Sequence, residues 1–227
     1  PGGSGLSSSA AFEVLMGTML NDLFWGGKCS AVEIAQIGQY AENVFFGKPC
    51  GLMDQTASSV GGVVAIDFAD TQAPVVEQIA LDLHANGYAL CILNSGAGHA
   101  DLTAEYASIT EELKAVCGCF GKVVLREIPE EDFLAQLPQV RRTAGDRAVN
   151  RAFHVYAENR RALQEAQALR AGDFDRFLAL VQDSGRSSAM YLQNVIPTGQ
   201  TTAQELMVTL ALCESILAGR GAVRVHG

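Results

Sequence analysis

Positive charge is scarce in this sequence. Its Lys and Arg total 16 against 25 Asp and Glu over 227 residues, a formal net charge of −9, and no basic cluster offsets the acidic excess. That excludes nucleic acid or an anionic membrane surface as the main partner. Long apolar runs are missing too: none reaches the ~20 residues that a membrane-spanning helix needs, so a soluble protein is expected. The six cysteines (Cys29, Cys50, Cys91, Cys117, Cys119, Cys213) form no C-x-x-C. Without a signal peptide to suggest export, reduced thiols in the cytoplasm are expected. Cys117-Gly118-Cys119 reads as packing, because no second ligand pair sits nearby. A Walker A loop is absent, since no Lys follows the opening glycines, and so is G-x-G-x-x-G. With 48% hydrophobic and 18% charged residues, the chain can nevertheless build a large core, enough for two packed units.

Glycine and serine are concentrated at the start. PGGSGLSSSAA places Gly2, Gly3 and Gly5 around Ser4, then runs through Leu6 and Ser7, Ser8 and Ser9 into two alanines. Glycines let successive backbone N–H groups turn toward one point, and a helix behind them presents its own unpaired N–H groups there. Such a place suits phosphate, with a plain Gly/Ser turn ahead of a core helix as the alternative. Phe12, Leu15, Met16, Met19, Leu20 and Leu23 recur at helical spacing. They predict a first helix whose large apolar face anchors the loop against a core.

Ser30-Ala31-Val32-Glu33 has the capping-box pattern, so a second helix is expected from Ala31 to about Val44, with Ile34, Ile37, Ala41 and Val44 buried. Beside that face run Ala35, Gly38 and Glu42. Small residues there allow another backbone to approach and leave the Glu42 carboxylate at its edge. Beside a phosphate site such a carboxylate is a natural Mg2+ ligand; elsewhere it is a solvated or salt-bridged glutamate. Gly47, Pro49 and Gly51 then force an irregular turn, and Leu52 onward reads as a short helix with Asp54 in its first turn, where the dipole favours an acid.

Residues 63–68 and 75–79 read as paired strands, and the continuous apolar run 88–93 as a strand buried on both faces. The boundary between two units falls at about Leu83, giving residues 1–83 and 84–227. A polar glycine turn from Asn94 to His99 leads into a helix carrying Leu102, Tyr106, Ile109, Leu113 and Val116 on one face. There Tyr106 reads as a core aromatic. Residues 148–169 predict a long helix, with Asp173 capping the next. His154 and Glu158, at i and i+4 on the long helix, read as a structural hydrogen-bonding pair. Thr202-Ala203-Gln204-Glu205 repeats the capping-box pattern before a last helix.

Four stretches carry a resemblance. PGGSGLSSSAA resembles P-x-x-x-G-L-x-S-S-A, the second motif of the galacto-, homoserine, mevalonate and phosphomevalonate (GHMP) kinase superfamily. AENVFFGKPCGLMDQ, residues 41–55, is similar to the galactokinase stretch A-E-x-x-F-x-G-x-x-C-G-x-M-D-Q. Asn94, Gly96, His99, Glu105 and Tyr106 match a third galactokinase pattern, and NRAFHVYAENRRAL, residues 150–163, resembles R-A-x-H-V-x-x-E-N-x-R. Gly98 departs from the pattern, standing where Lys or Arg is usual, and Ala-Ser-Ile follows Tyr106 in place of a stretch ending in paired arginines.

The resemblance implies the two-domain α+β GHMP kinase fold, with a ribosomal-protein-like N-terminal unit, incomplete here, a ferredoxin-like C-terminal unit, and ATP and sugar in the cleft between them. It implies that Gly2, Gly3, Ser4, Gly5, Leu6, Ser7, Ser8 and Ser9 wrap the ATP phosphates and that Ser9 and Glu42 hold Mg2+. Gly51 and Tyr106 would contact the sugar. Asp54 would be the catalytic aspartate, taking the proton of the reacting hydroxyl or orienting it. The implied reaction is ATP-dependent phosphorylation of the C1 hydroxyl of galactose. The alternatives are a non-catalytic galactose- and ATP-sensing regulator, or a kinase for another sugar such as N-acetylgalactosamine. The superfamily's first motif and most of its third are missing, and the sequence opens inside a motif. A fragment of a longer cytoplasmic protein, monomer or homodimer, is therefore expected.

Overall fold

The computed structural model describes residues 6–47, 50–96 and 102–226, and among these residues the chain forms nine α-helices and one two-stranded sheet. The chain divides into a first unit running to Ala89 and a second from Leu90 to Val225. Among the described residues no helix is long and apolar enough to cross a membrane.

The first unit contains α1 (Ser8–Trp25), α2 (Ala31–Tyr40), α3 (Met53–Val60) and the strands β1 (Val63–Asp67) and β2 (Val75–Ile79). The capping box forms as expected: Ser30 Oγ accepts from the Glu33 N–H at 3.2 Å, and the Ser30 N–H donates to Glu33 Oε2 at 2.7 Å. A single π-turn over Ala41–Phe45 continues α2. The strands pair antiparallel, Val63 opposite Ile79 and Asp67 opposite Val75.

The three helices pack through small residues. Ala10 and Val14 are the buried positions of α1, and Ile34, Ala35 and Gly38 those of α2. A Cβ on Gly17 would stand 3.0 Å from Ile34 Cγ2, so α1 and α2 touch almost backbone to side chain. The expected anchoring stripe of α1 therefore points the other way: Phe12, Leu15, Met16, Met19, Leu20 and Leu23 are all exposed. Because α1 is apolar on nearly every side, spacing alone does not select its buried face; the close approach of α2 and α3 selects the short side chains. Ile37 and Val44 are exposed for the same reason, while Ala35, Gly38 and Glu42 turn inward.

The second unit contains α4 (Thr103–Gly118), α5 (Glu130–Ala135), α6 (Leu137–Ala144), α7 (Asp146–Arg170), α8 (Phe174–Ser187) and α9 (Glu205–Leu217), and no strand among its described residues. Val116, Leu125, Ile128, Phe133, Val140, Ala152 and Tyr156 form one apolar cluster together with Cys117, whose thiol burial pushes up. Phe133 meets Phe153 edge to face at 5.2 Å, and Tyr156 Oη donates to the Ile128 carbonyl at 2.9 Å. Arg151 is fully buried, its Nε donating to the Leu192 carbonyl and its Nη1 to Ser108 Oγ, each at 3.0 Å. His154 and Glu158 serve structure through α8 rather than as a pair along α7: His154 Nδ1 lies 2.9 Å from Ser187 Oγ, and Glu158 accepts from the Ser184 hydroxyl. Asp173 caps α8 through the Arg176 N–H at 3.0 Å.

Two further expectations give way here. Residues 88–93 form no strand, and Leu90, Ile92 and Leu93 are exposed; a doubly buried strand needs a neighbour on its edge, and β1 and β2 pair only with each other among the described residues. The Thr202 capping box does not form. The helix begins at Glu205, so that glutamate stands at the first helical position rather than the third, and Gln204 caps without a side-chain hydrogen bond. Beyond α9, residues 222–226 form no strand; Val223 and Arg224 dock on α8 through Gln182 Oε1 at 3.1 Å and Ser184 Oγ at 2.5 Å.

Candidate functional site

The expected phosphate loop meets α1 at Ser7, which takes the left-handed conformation (φ 51°) and makes no side-chain cap. Its carbonyl accepts the Ala11 N–H at 3.0 Å, and buried Ala10 seats the first turn. The backbone N–H groups of that turn, at Ser8 and Ser9, lie at the positive end of the helix dipole. Leu6 and Ser8 are exposed with Ser9. Gly2, Gly3, Ser4 and Gly5 lie outside the described residues.

One turn inside α1 the three helices meet. A Cβ on Gly38 would stand 3.4 Å from the Glu13 Cβ and 3.6 Å from the Gln55 Cγ, so α2 presents bare backbone to both neighbours. Glu42, one turn after Gly38, keeps 4% of its surface, and Gln55 of α3 keeps 1%. Gln55 Nε2 donates to Glu42 Oε2 at 3.0 Å and to Glu13 Oε2 at 3.4 Å, and lies 3.5 Å from Cys50 Sγ. Its Oε1 is buried without a hydrogen-bond partner among the described residues. The Cys50 thiol is pushed up to about 11, first by burial and then by its hydrogen bond to Glu42. The cluster is thus a buried junction of two carboxylates, a neutral thiol and one amide.

The same π-turn that brings Glu42 inward aims Asn43 at the following loop. Asn43 Oδ1 accepts the Cys50 N–H at 2.7 Å, while Asn43 Nδ2 and Gln39 Nε2 donate to the Cys50 carbonyl at 3.4 and 3.2 Å. Cys50 is therefore clamped just before Gly51, which is exposed, and buried Leu52 leads into α3. Thr56 Oγ1 donates to the Leu52 carbonyl at 2.8 Å and fixes the first turn. Half-buried Asp54 is delivered from that turn, one residue before Gln55.

A buried carboxylate is stable only when hydrogen-bonded, paired or bound to a cation. The donors suit Mg2+: hard carboxylate and hydroxyl oxygens, with Ser9 one turn ahead of Glu13 on the same side of α1. Among the described residues no group of three or more His, Cys, Asp and Glu could hold a metal ion. Mg2+ commonly takes one or two protein oxygens and completes its shell with phosphate and water.

Tyr106 lies on α4 of the second unit and is 57% exposed, so it is not the core aromatic its spacing suggests. Reasoning from the sequence missed Glu13, Gln39, Asn43 and Gln55. Two signals were available: Ser9 and Glu13 stand at i and i+4, and Asn43 and Gln55 flank Glu42 and Asp54 directly.

Comparisons with known proteins extend this picture. Residues 1–62 match the family model described as GHMP kinases N terminal domain. The sequence is 32% identical over 230 residues to a galactokinase of Actinobacillus pleuropneumoniae serotype 5b (strain L20), covering 100% of this chain and 56% of that protein. It is 35% identical over 187 residues to a galactokinase of Thermotoga neapolitana, covering 82% and 50%. The crystal structure of Lactococcus lactis galactokinase complexed with galactose superposes with a TM-score of 0.70 at 27% identity, over 95% of this chain and 53% of the other. The chain spans about half the length of the curated relatives it matches.

Proposed function

We propose that this chain, which belongs to the GHMP kinase family and has its α+β fold, contributes to an ATP-dependent kinase acting on the C1 hydroxyl of galactose. The observation that carries the reading is the junction of buried Glu42 with the helix that delivers Asp54. It gives physical content to the galactokinase similarity, which runs through both residues.

In this reading the amides from Gly2 to Ser9 bind the phosphates of ATP, and the Ser9 hydroxyl and the Glu42 carboxylate hold Mg2+. The ion, when bound, offsets negative charge on the phosphate oxygens. Gly51 and Tyr106 orient the sugar. Asp54 takes or polarises the proton of the C1 hydroxyl while that oxygen bonds to the γ-phosphorus; the bond from the γ-phosphorus to the β,γ-bridging oxygen breaks, and ADP leaves. Phosphoryl transfer asks mainly for this positioning and charge compensation.

The test is ADP release by the full-length protein with galactose, with N-acetylgalactosamine and without sugar. Galactose-dependent release is expected, and release no higher than the sugar-free rate with either sugar would refute a kinase. Gly98, standing where Lys or Arg is usual in galactokinases, favours one rival, a galactose- and ATP-sensing protein; binding of both ligands without ADP release is its signature.

A further inference from the structure

We propose that Gln55 is a positioning residue for the metal-holding carboxylate: its side-chain amide fixes the orientation in which Glu42 presents itself to Mg2+. The inference rests on the reading of Glu42 as a magnesium ligand. Gln55 is among the most deeply buried side chains of the protein, so its amide has little freedom to turn. Nε2 donates to Glu42 Oε2 at 3.0 Å and reaches Glu13 Oε2 at 3.4 Å, which puts a donor with partial positive charge between two carboxylates. The orientation has a cost, because it leaves Gln55 Oε1 buried without a partner among the described residues. The opposite orientation would be worse, with the carbonyl oxygen aimed at both carboxylates. Two constraints therefore agree on one geometry, and that geometry pins one oxygen of Glu42.

Gly38 makes this possible, since α2 carries no side chain between Gln55 and the Glu42 turn. Gln55 also follows Asp54 directly on α3, so one amide ties the carboxylate that would hold the metal to the helix that carries the aspartate. Groups that orient a metal ligand without touching the metal commonly set its affinity.

The experiment compares wild type, Gln55→Met and Glu42→Gln in the full-length protein. Mn2+ binding in the presence of a non-hydrolysable ATP analogue is followed by electron paramagnetic resonance, alongside the Mg2+ dependence of turnover and the melting temperature. Methionine keeps the length of Gln55 and removes its donor. The expected result is a Mn2+ Kd raised about 10–100-fold in folded Gln55→Met. The Mg2+ concentration for half-maximal rate should rise in step, and kcat at saturating Mg2+ should be largely restored, a split that a general loss of structure would not produce. An unchanged Mn2+ Kd in Gln55→Met together with lost binding in Glu42→Gln overturns the positioning role and leaves the Glu42 reading standing. Unchanged binding in Glu42→Gln overturns that reading and this inference with it. If Gln55→Met does not fold, Gln55→Asn, which withdraws the amide by one methylene, carries the same comparison.

Discussion

The two units pack by opposite means. In the first, α1 and α2 meet through Ala10, Val14, Gly17, Ala35 and Gly38, while Phe12, Leu15 and Leu23 face outward. In the second, Val116, Phe133, Val140 and Tyr156 fill a single apolar cluster. Large apolar side chains stabilise an interior but keep backbones apart. Small ones bring helices close enough for Glu42, Gln55 and Glu13 to meet where they cross. The second unit also buries polar groups, but it uses them as ties between helices: Arg151 bonds to Leu192 and Ser108, and His154 to Ser187. Among the described residues each unit also keeps a buried polar atom without a hydrogen-bond partner, Gln55 Oε1 in the first and Asn194 Oδ1 in the second.

This contrast can be broken from either side. Phe133→Ala should have the largest effect, about 3–5 kcal/mol of stability, because Phe133 is fully buried against Phe153 and Tyr156. Chemical denaturation measures it, and a loss below about 1 kcal/mol would show that the second unit does not depend on this core. Asp54→Ala should lower kcat by about a hundredfold or more, the scale of a lost positioned base, with the melting temperature little changed; near-normal ADP release would remove Asp54 from its role.

Gly185→Ala should destabilise by about 1–3 kcal/mol, since the added Cβ would stand 2.8 Å from the Arg224 Cβ and 3.1 Å from the Val223 carbonyl oxygen. An unchanged melting temperature would mean that the 223–224 segment does not rest on α8. The smallest effect is kinetic. With its thiol pushed up to about 11, Cys50 becomes thiolate only as pH climbs toward that value. Iodoacetamide at pH 8 should therefore modify exposed Cys91 well before Cys50, and the Cys50 rate should keep rising above pH 9. Faster labelling of Cys50 than of Cys91 at pH 8 would contradict the half-buried, carboxylate-flanked environment.

Much of the candidate site was legible because its signals are local. The Ser30 box, the Ala35-Gly38-Glu42 stripe and Asp54 in a first helical turn each depend on residues within a few positions of one another. The same box pattern failed at Thr202, where the chain enters the helix two residues later than the pattern requires. The apolar run 88–93 failed as a strand because strand formation is settled by a neighbour that may lie anywhere in the sequence.

What the amino-acid order determined by itself was the placing of most helices and the hairpin and the run of motifs that resemble those of GHMP kinases, since both are written in short-range spacing. Tertiary structure decided which side of α1 is buried, that Asn43 and Gln39 clamp Cys50, and that Gln55 joins Glu42 to Glu13. Those outcomes depend on which helices approach one another and how closely, and a side chain 42 positions away in the sequence, as Glu13 is from Gln55, becomes a neighbour only once the backbones between them have packed.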